Sequence, residues 1–255
     1  MRAVAFSIDD NYIKYGQTLL AGLVKYCDSA DIYIRCINMS DENKELLRCI
    51  DSDVNIINDE TNLSTCKNIL KKLPDSREYF HTYKGNVFDW QGLENLKKVF
   101  YSEQAVYSCH SRFKTIIEVL PEVEALMCLD ADTIVLKDIN HMFDIYNSAD
   151  MYTVPVKEDD TFTMFHNEGL MLINNTEDSL LFFNTVHDGI FASDRWKEWD
   201  IDTDVLSEAY DNQKTMTVGN LGSQYKDKKH SDDSYMWSGD GPRKENKDFQ
   251  NKIIT

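Results

Sequence analysis

Asp130 and Asp132 stand one residue apart behind the apolar run Ala125-Leu126-Met127-Cys128-Leu129, and Ile134-Val135-Leu136 resumes the apolar character after them. An unbroken run of this length predicts a strand buried on both faces of a parallel sheet, so both acids sit where a core strand ends. In open α/β sheets ligands bind outside the carboxyl ends of the strands. Two carboxylates so close repel each other and resist desolvation unless a cation lies between them. Their hard oxygens suit Mn²⁺ or Mg²⁺ and leave positions for phosphate oxygens. The same tripeptide also fits a solvated turn opened by Asp130, with Asp132 capping the next segment, so the flanking chain has to decide.

Three further groups carry chemistry. Asp9, Asn11 and Tyr12 follow the first apolar run, Ala3 to Ile8, and can hydrogen-bond and stack on a base, although the segment also reads as a turn with a helix cap. In the tail, Met236-Trp237-Ser238-Gly239-Asp240-Gly241-Pro242-Arg243-Lys244 joins glycines that let backbone N–H groups approach a phosphate to two cations that neutralise it. Asp200, Asp202 and Asp204 form an acidic stretch that by itself reads as one solvated face of a strand. The histidines at 81, 110, 141, 166 and 187 show no metal-ligand spacing and read as surface or core residues.

These residues need a frame. Ala3–Ile8, Ile32–Ile37 and Val54–Ile57 read as strands separated by helical patterns over 15–26 and 42–50, the second capped by Ser40 or Asp41. That alternation predicts right-handed crossovers and a parallel sheet. Ser108 to Leu120 reads as one helix carrying Arg112 and ended by Pro121. Strands follow at 151–156 and 170–174, and a helical pattern at 180–186. Between about 60 and 103 the pattern weakens to loops and short helices over a cleft, where Phe80, Tyr83, Phe88 and Trp90 either pack a loop or form an acceptor lid.

Composition narrows the class. A chain of 255 residues that is 42% hydrophobic can bury a proper core. Its 27 basic and 44 acidic residues give a net charge of −17, a field that repels nucleic acid and anionic membrane. No apolar stretch reaches the ~20 residues of a membrane span, and the N-terminus opens with a strand pattern rather than a signal peptide. The six cysteines lack C-x-x-C spacing and read as buried free thiols of a reducing, cytoplasmic compartment.

Taken in order, five segments resemble the family 8 glycosyltransferases, retaining enzymes that use nucleotide-diphosphate sugars. Phe6 to Tyr12 resembles the family's first strand and uridine-binding turn, and Arg112 falls at the arginine of the helix before the D-x-D. Asp130-Ala131-Asp132 resembles the D-x-D itself, Asn167-Glu168-Gly169 to Asn174 the N-x-G-x-x-x-x-N element, and Asp202-Thr203-Asp204 the D-Q-D region. The resemblance implies a GT-A fold: α/β, with a Rossmann-like, mostly parallel central sheet flanked by helices, as a single domain over 1–255 with an irregular lobe from about 190. It implies a UDP-sugar donor, glucose or galactose, and an acceptor that is a glycan, lipid, protein or small molecule. Asp9, Asn11, Tyr12, Arg112, Asp130, Ala131, Asp132, Gly239, Arg243 and Lys244 would bind the nucleotide sugar, with Asp130 and Asp132 on Mn²⁺ or Mg²⁺. Asn167, Asp202 and Asp204 would line the sugar. The chain departs from the pattern twice: Thr203 replaces the glutamine, and no histidine precedes the glycine turn, leaving Asp240 or His230 to fill that gap.

Three rivals fit less well. Aspartyl-nucleophile phosphatases need the D-x-D strand first in the fold and Thr or Val where Ile134 stands, and sugar nucleotidyltransferases need a Gly-rich loop that residues 7 to 15 lack. The alternative that Thr203 and the missing histidine keep open is a sugar-nucleotide-binding protein with lost or weak turnover.

Overall fold

The computed structural model describes residues 1–67, 69–70, 100–155, 169–192, 195–198, 201–239 and 241–254. In chain order these form β1 (Arg2–Ile8), α1 (Ile13–Tyr26), β2 (Asp31–Ile37), α2 (Asp41–Arg48), β3 (Asn55–Asp59) and the short pair β4 (Ile69–Leu70) and β5 (Phe100–Tyr101). Next come α3 (Glu103–His110), α4 (Arg112–Val119), β6 (Ala125–Leu129), β7 (Thr133–Val135), α5 (Met142–Ile145), β8 (Met151–Thr153) and β9 (Leu170–Asn174). The chain ends in α6 (Glu177–Phe191), α7 (Ile201–Asn212), β10 (Val218–Asn220), β11 (Met236–Ser238) and α8 (Lys247–Gln250).

Seven strands make one sheet in the order β10-β8-β9-β6-β1-β2-β3. All pairings are parallel except those of β9, which runs antiparallel to both β6 and β8. The sheet is therefore mixed and mostly parallel. The period-two rule of strands divides the core cleanly. Ala125, Met127 and Leu129 of β6 pack with Phe6, Leu19, Leu20 and Leu23 on the α1 side. Leu126 and Cys128 face Phe113, Ile116, Phe182, Phe183 and Val205 of α4, α6 and α7 on the other. Every residue of β6 is buried, as an apolar run between two helical layers requires.

Local chemistry sets the ends of the helices. Ser40 accepts the Asn43 N–H at the start of α2, and Thr176 and Ser179 form a reciprocal capping box on α6. Arg35, only 3% exposed, reaches from β2 to Asp59 on β3 at 2.8 Å, to Thr115 on α4 at 2.8 Å and to Glu118. A buried guanidinium is tolerated because each of these partners satisfies it, and the result fixes α4 against the sheet.

Several expectations are corrected. The helix expected over 108–120 is two helices meeting at Ser111, whose Oγ donates to the Ser108 carbonyl at 3.0 Å and competes with regular helical bonding. Ile134 and its neighbours do not continue the main sheet; β7 pairs antiparallel with β11 in a separate two-stranded sheet. The acidic stretch from 201 onward is helix, not strand, because Ile201, Val205, Leu206 and Ala209 recur at helical spacing on the buried face. The strand expected over 151–156 ends at Thr153 within the described residues. Phe80, Tyr83, Phe88 and Trp90 lie outside the described residues, as do Asn167 and Asp240. All six cysteines are free; Cys27, Cys36 and Cys128 are buried, whereas Cys49 and Cys66 are exposed. Burial pushes the thiols of Cys27, Cys36 and Cys128 up to about 12, which leaves them protonated and inert at neutral pH. Among the described residues no helix is long and apolar enough to cross a membrane.

Candidate active site

Where β6 ends, the Asp130 N–H donates to the Gly169 carbonyl at 2.9 Å and the Thr133 N–H returns to the Asp130 carbonyl at 3.1 Å. The turn so closed carries Asp130, Ala131 and Asp132. It is held on its far side by β11: Thr133 pairs with Ser238, Ile134 with Trp237 and Val135 with Met236, and the Gly239 N–H donates to the Asp132 carbonyl at 2.9 Å. A Cβ on Gly239 would stand 2.7 Å from the Phe249 ring and 2.9 Å from that carbonyl. Gly239 thus serves close packing, and its N–H, expected on a phosphate, is on Asp132 instead.

The same pairing carries the tail back over the turn. Arg243 and Lys244 lie in a 3-10 turn (Gly241–Glu245), and the Lys244 ammonium donates to Asp132 Oδ2 at 3.1 Å and to the Tyr12 hydroxyl at 2.9 Å. Burial by itself would lower the Lys244 ammonium, but Asp132 and Tyr12 outweigh it and raise the group well above its ordinary value. Tyr12 is placed by the turn after β1. There Asp9 is buried and accepts from the Asn11 N–H at 3.1 Å, the Asn11 side-chain amide at 3.2 Å and Gln104 Nε2 at 3.1 Å. The cap reading and the site reading of Asp9 are therefore one geometry, with Asn11 and Tyr12 presented by the capped turn.

On the opposite side, Arg112 opens α4. Its Nε donates to the Cys109 carbonyl at 2.8 Å, which aims Nη1 at Asp130 Oδ1, 3.0 Å away. Asp202, on the first turn of α7, is 5% exposed and accepts the Thr203 N–H at 3.1 Å. His110 is 2% exposed; its Nδ1 donates to the Trp196 carbonyl at 3.0 Å and its Nε2 faces Asp202 Oδ1 at 3.6 Å. Burial pushes the Asp202 carboxyl up, but His110, then Arg112, then the Thr203 N–H outweigh it and hold the group down at about 2. Asp202 is consequently a fixed anion at neutral pH. Asp204, two residues further along the helix, is exposed.

Two carboxylates on one turn match the oxygen donor set of a hard divalent ion. The positions around them already attract positive charge: Arg112 and Lys226 meet Asp130, and Lys244 meets Asp132. Among the described residues no group of three or more His, Cys, Asp or Glu is placed to hold a metal ion together. His230 does not fill the missing place. Its Nε2 hydrogen-bonds the Ser238 carbonyl at 3.0 Å and its ring packs against Trp237 and Phe249 at 5.1 Å each. Met236, in the stretch where the histidine was expected, is fully buried in the core.

The model of glycosyl transferase family 8 matches residues 3–222. The chain belongs to glycosyl transferase family 8. Membership makes it a glycosyltransferase, implies a sugar-nucleotide donor and is typically accompanied by metal dependence. No curated protein sequence matches this family 8 chain. Among solved structures it is similar to the galactosyltransferase LgtC bound to donor and acceptor sugar analogues, with a TM-score of 0.57 and 13% identity over 100% of this chain and 97% of that one. It is also similar to mouse xyloside xylosyltransferase 1, with a TM-score of 0.51 and 12% identity over 95% and 99%. The bifunctional glycosyltransferase WbbM gives 0.55 and 14% identity over 94% of this chain, which spans 45% of WbbM's length. At these identities the likeness establishes the GT-A fold.

In this family 8 chain eight of the residues singled out from the sequence fall into two groups. Tyr12, Asp132 and Lys244 form one through the Lys244 ammonium, with Asp9 and Asn11 in the capped turn that carries Tyr12; Arg112 and Asp130 form the other, and the same guanidinium lowers the Asp202 carboxyl. Sequence reasoning missed Lys226, His110 and Gln104. Nothing in the sequence marks Lys226, a lysine in a polar tail. His110 lies on the helical pattern that carries Arg112, and Gln104 lies just ahead of that pattern; this proximity is the signal that could have found them.

Proposed function

We propose that the protein is a retaining hexosyltransferase that moves glucose or galactose from a UDP-sugar to a hydroxyl of a glycan, lipid, protein or small molecule. Asp9, Asn11 and Tyr12 bind the nucleoside. Arg112, Arg243 and Lys244 meet the diphosphate or the donor sugar. Asn167, Asp202 and Asp204 line the sugar, and Asp130 and Asp132 hold Mn²⁺ or Mg²⁺. When bound, the ion supplies Lewis-acid stabilisation of the departing diphosphate.

The observation that carries this reading is the position of Arg112, which touches Asp130 with one nitrogen and acts electrostatically on Asp202. One guanidinium thus contacts Asp130, an acid expected at the metal and diphosphate, and lowers the carboxyl of Asp202, the acid expected at the sugar. In the transfer, the bond from the anomeric carbon to the diphosphate oxygen breaks and UDP leaves with the electron pair. The acceptor oxygen bonds to the same face of that carbon, and its proton goes to the departing phosphate. The positive charge developing on the sugar is of the oxocarbenium kind, and Asp202, kept ionised, stabilises it. Arg112 and Lys244 neutralise the leaving diphosphate. The galactosyltransferase activity in LgtC's name supports a hexose.

A second reading, nucleotide-sugar binding with weak turnover, is favoured by Thr203, whose side chain has no carbonyl to place near the anomeric carbon and whose N–H is engaged by Asp202. Slow donor hydrolysis separates the two readings without knowledge of the acceptor. The purified chain is given a panel of nucleotide sugars with Mn²⁺ and with chelator; metal-dependent release of UDP from one donor is expected. Asp132→Asn should abolish Mn²⁺-supported UDP binding while the fold is kept. UDP bound but never released from any donor selects the second reading, and unchanged binding by Asp132→Asn sinks the metal assignment.

A further inference from the structure

Lys226 is 8% exposed, and a buried ammonium is costly unless it is paired. Its Nζ lies 3.8 Å from Asp130 Oδ2, while Arg112 holds the other carboxylate oxygen. Gly169 is the floor beneath them: a Cβ there would stand 2.3 Å from Lys226 Nζ and 1.8 Å from Asp130 Oδ2. Lysine and acid are therefore pressed onto a stretch of backbone with no room for a side chain. The main chain beside Lys226 is equally fixed. Its own N–H donates to the Ser223 carbonyl at 3.2 Å, and Asp227 exchanges bonds with β11 through the Met236 carbonyl at 3.0 Å and the Ser238 N–H at 2.9 Å. This is the strand that pairs with the Asp130–Asp132 turn, so the ammonium is built into the site.

We infer that Lys226 is a further cation of the diphosphate site and competes with the divalent ion for Asp130. The inference rests on the metal reading above. An ammonium and a divalent ion cannot share one carboxylate oxygen in a buried space without strong repulsion. Without nucleotide Lys226 keeps Asp130 paired and the ion binds weakly. The diphosphate brings new anionic oxygens, the ammonium turns to them, and Asp130 is released to the ion. Ion and nucleotide therefore bind together, with Lys226 as the positioning residue that couples them.

The test titrates Mn²⁺ into the whole chain, with and without saturating UDP, following the electron paramagnetic resonance signal of the free ion. In the unaltered protein UDP should tighten Mn²⁺ about tenfold or more. Lys226→Met should bind Mn²⁺ alone about tenfold tighter than the unaltered chain and gain less from UDP. Lys226→Arg, which keeps the charge, should not bind Mn²⁺ alone more tightly than the unaltered chain. If circular dichroism shows that the Met variant is unfolded, Lys226→Gln carries the same expectation. A Met or Gln variant with unaltered Mn²⁺ affinity in both conditions overturns the inference and leaves the metal reading standing. No Mn²⁺ uptake by the unaltered chain even with UDP overturns both.

Discussion

Arg112 Nη1 stands 3.0 Å from Asp130 Oδ1, and the same guanidinium acts on Asp202, a residue of a different helix. Lysine offers a point charge in place of a planar fork and cannot serve two acids in this way. Arg112→Ala should lower the rate of UDP release from the donor roughly 10²-fold, the scale of removing one aimed donor from an electrostatic site. Arg112→Lys should recover only a small part of that loss. A rate within a factor of about two of the unaltered enzyme for the Ala variant would remove Arg112 from the mechanism.

Gly169→Ala tests the floor of the site. The added methyl would overlap Asp130 Oδ2 and Lys226 Nζ, so the pair must move. Overpacking of this kind costs about 1–3 kcal/mol, and urea denaturation should show it. Calorimetry should also show UDP affinity falling by about tenfold or more, since a displaced Asp130 no longer meets Arg112. Full stability with full affinity would mean that Gly169 leaves more room than its backbone position indicates.

The Asp202 carboxyl predicts an acid limb of stability. It is held at about 2 in the folded chain against an ordinary value of 3.8, so folding favours its ionised form. A depressed carboxyl contributes fully above its unfolded value and loses the contribution as pH falls through the folded value. The contribution is present above about pH 4 and is lost toward pH 2. Urea unfolding of the unaltered chain and of Asp202→Asn should therefore differ at pH 6 and converge as pH approaches 2. A difference that stays constant over that range would mean that Asp202 is not held ionised by folding.

Much of this arrangement was legible in the chain. Asp130 and Asp132 were found because a buried strand is an unbroken apolar run, and its polar end stands out. Asp9, Tyr12 and Lys244 were found the same way or through glycine-rich punctuation. The pairing of Lys244 with both Tyr12 and Asp132 was not legible, because it depends on β11 crossing to β7, two three-residue strands too short to show a period. The antiparallel course of β9 was hidden because a strand buried on both faces reads alike in either direction. Asp202 was singled out on a supposed strand, whereas its burial against His110 follows from the helical spacing of Ile201, Val205 and Ala209. Lys226 had no local signal, since its partner Asp130 lies far back in the chain and its companion surface is a glycine.

The pairing of β7 with β11 also has a consequence for how the protein is made. Lys244 meets Asp132 across 112 residues of chain and Tyr12 across 232. All seven strands of the main sheet have been translated by Asn220, well before the ribosome reaches Met236. A product cut short between those points keeps the segments of both hydrophobic layers apart from Met236 and Tyr225 or Leu221 near the cut, but it lacks the strand that braces Asp132 and the lysine that answers it. Premature termination would release a sheet without the Lys244 contacts to Asp132 and Tyr12, so under the proposed function nucleotide binding would report that translation ran past residue 244.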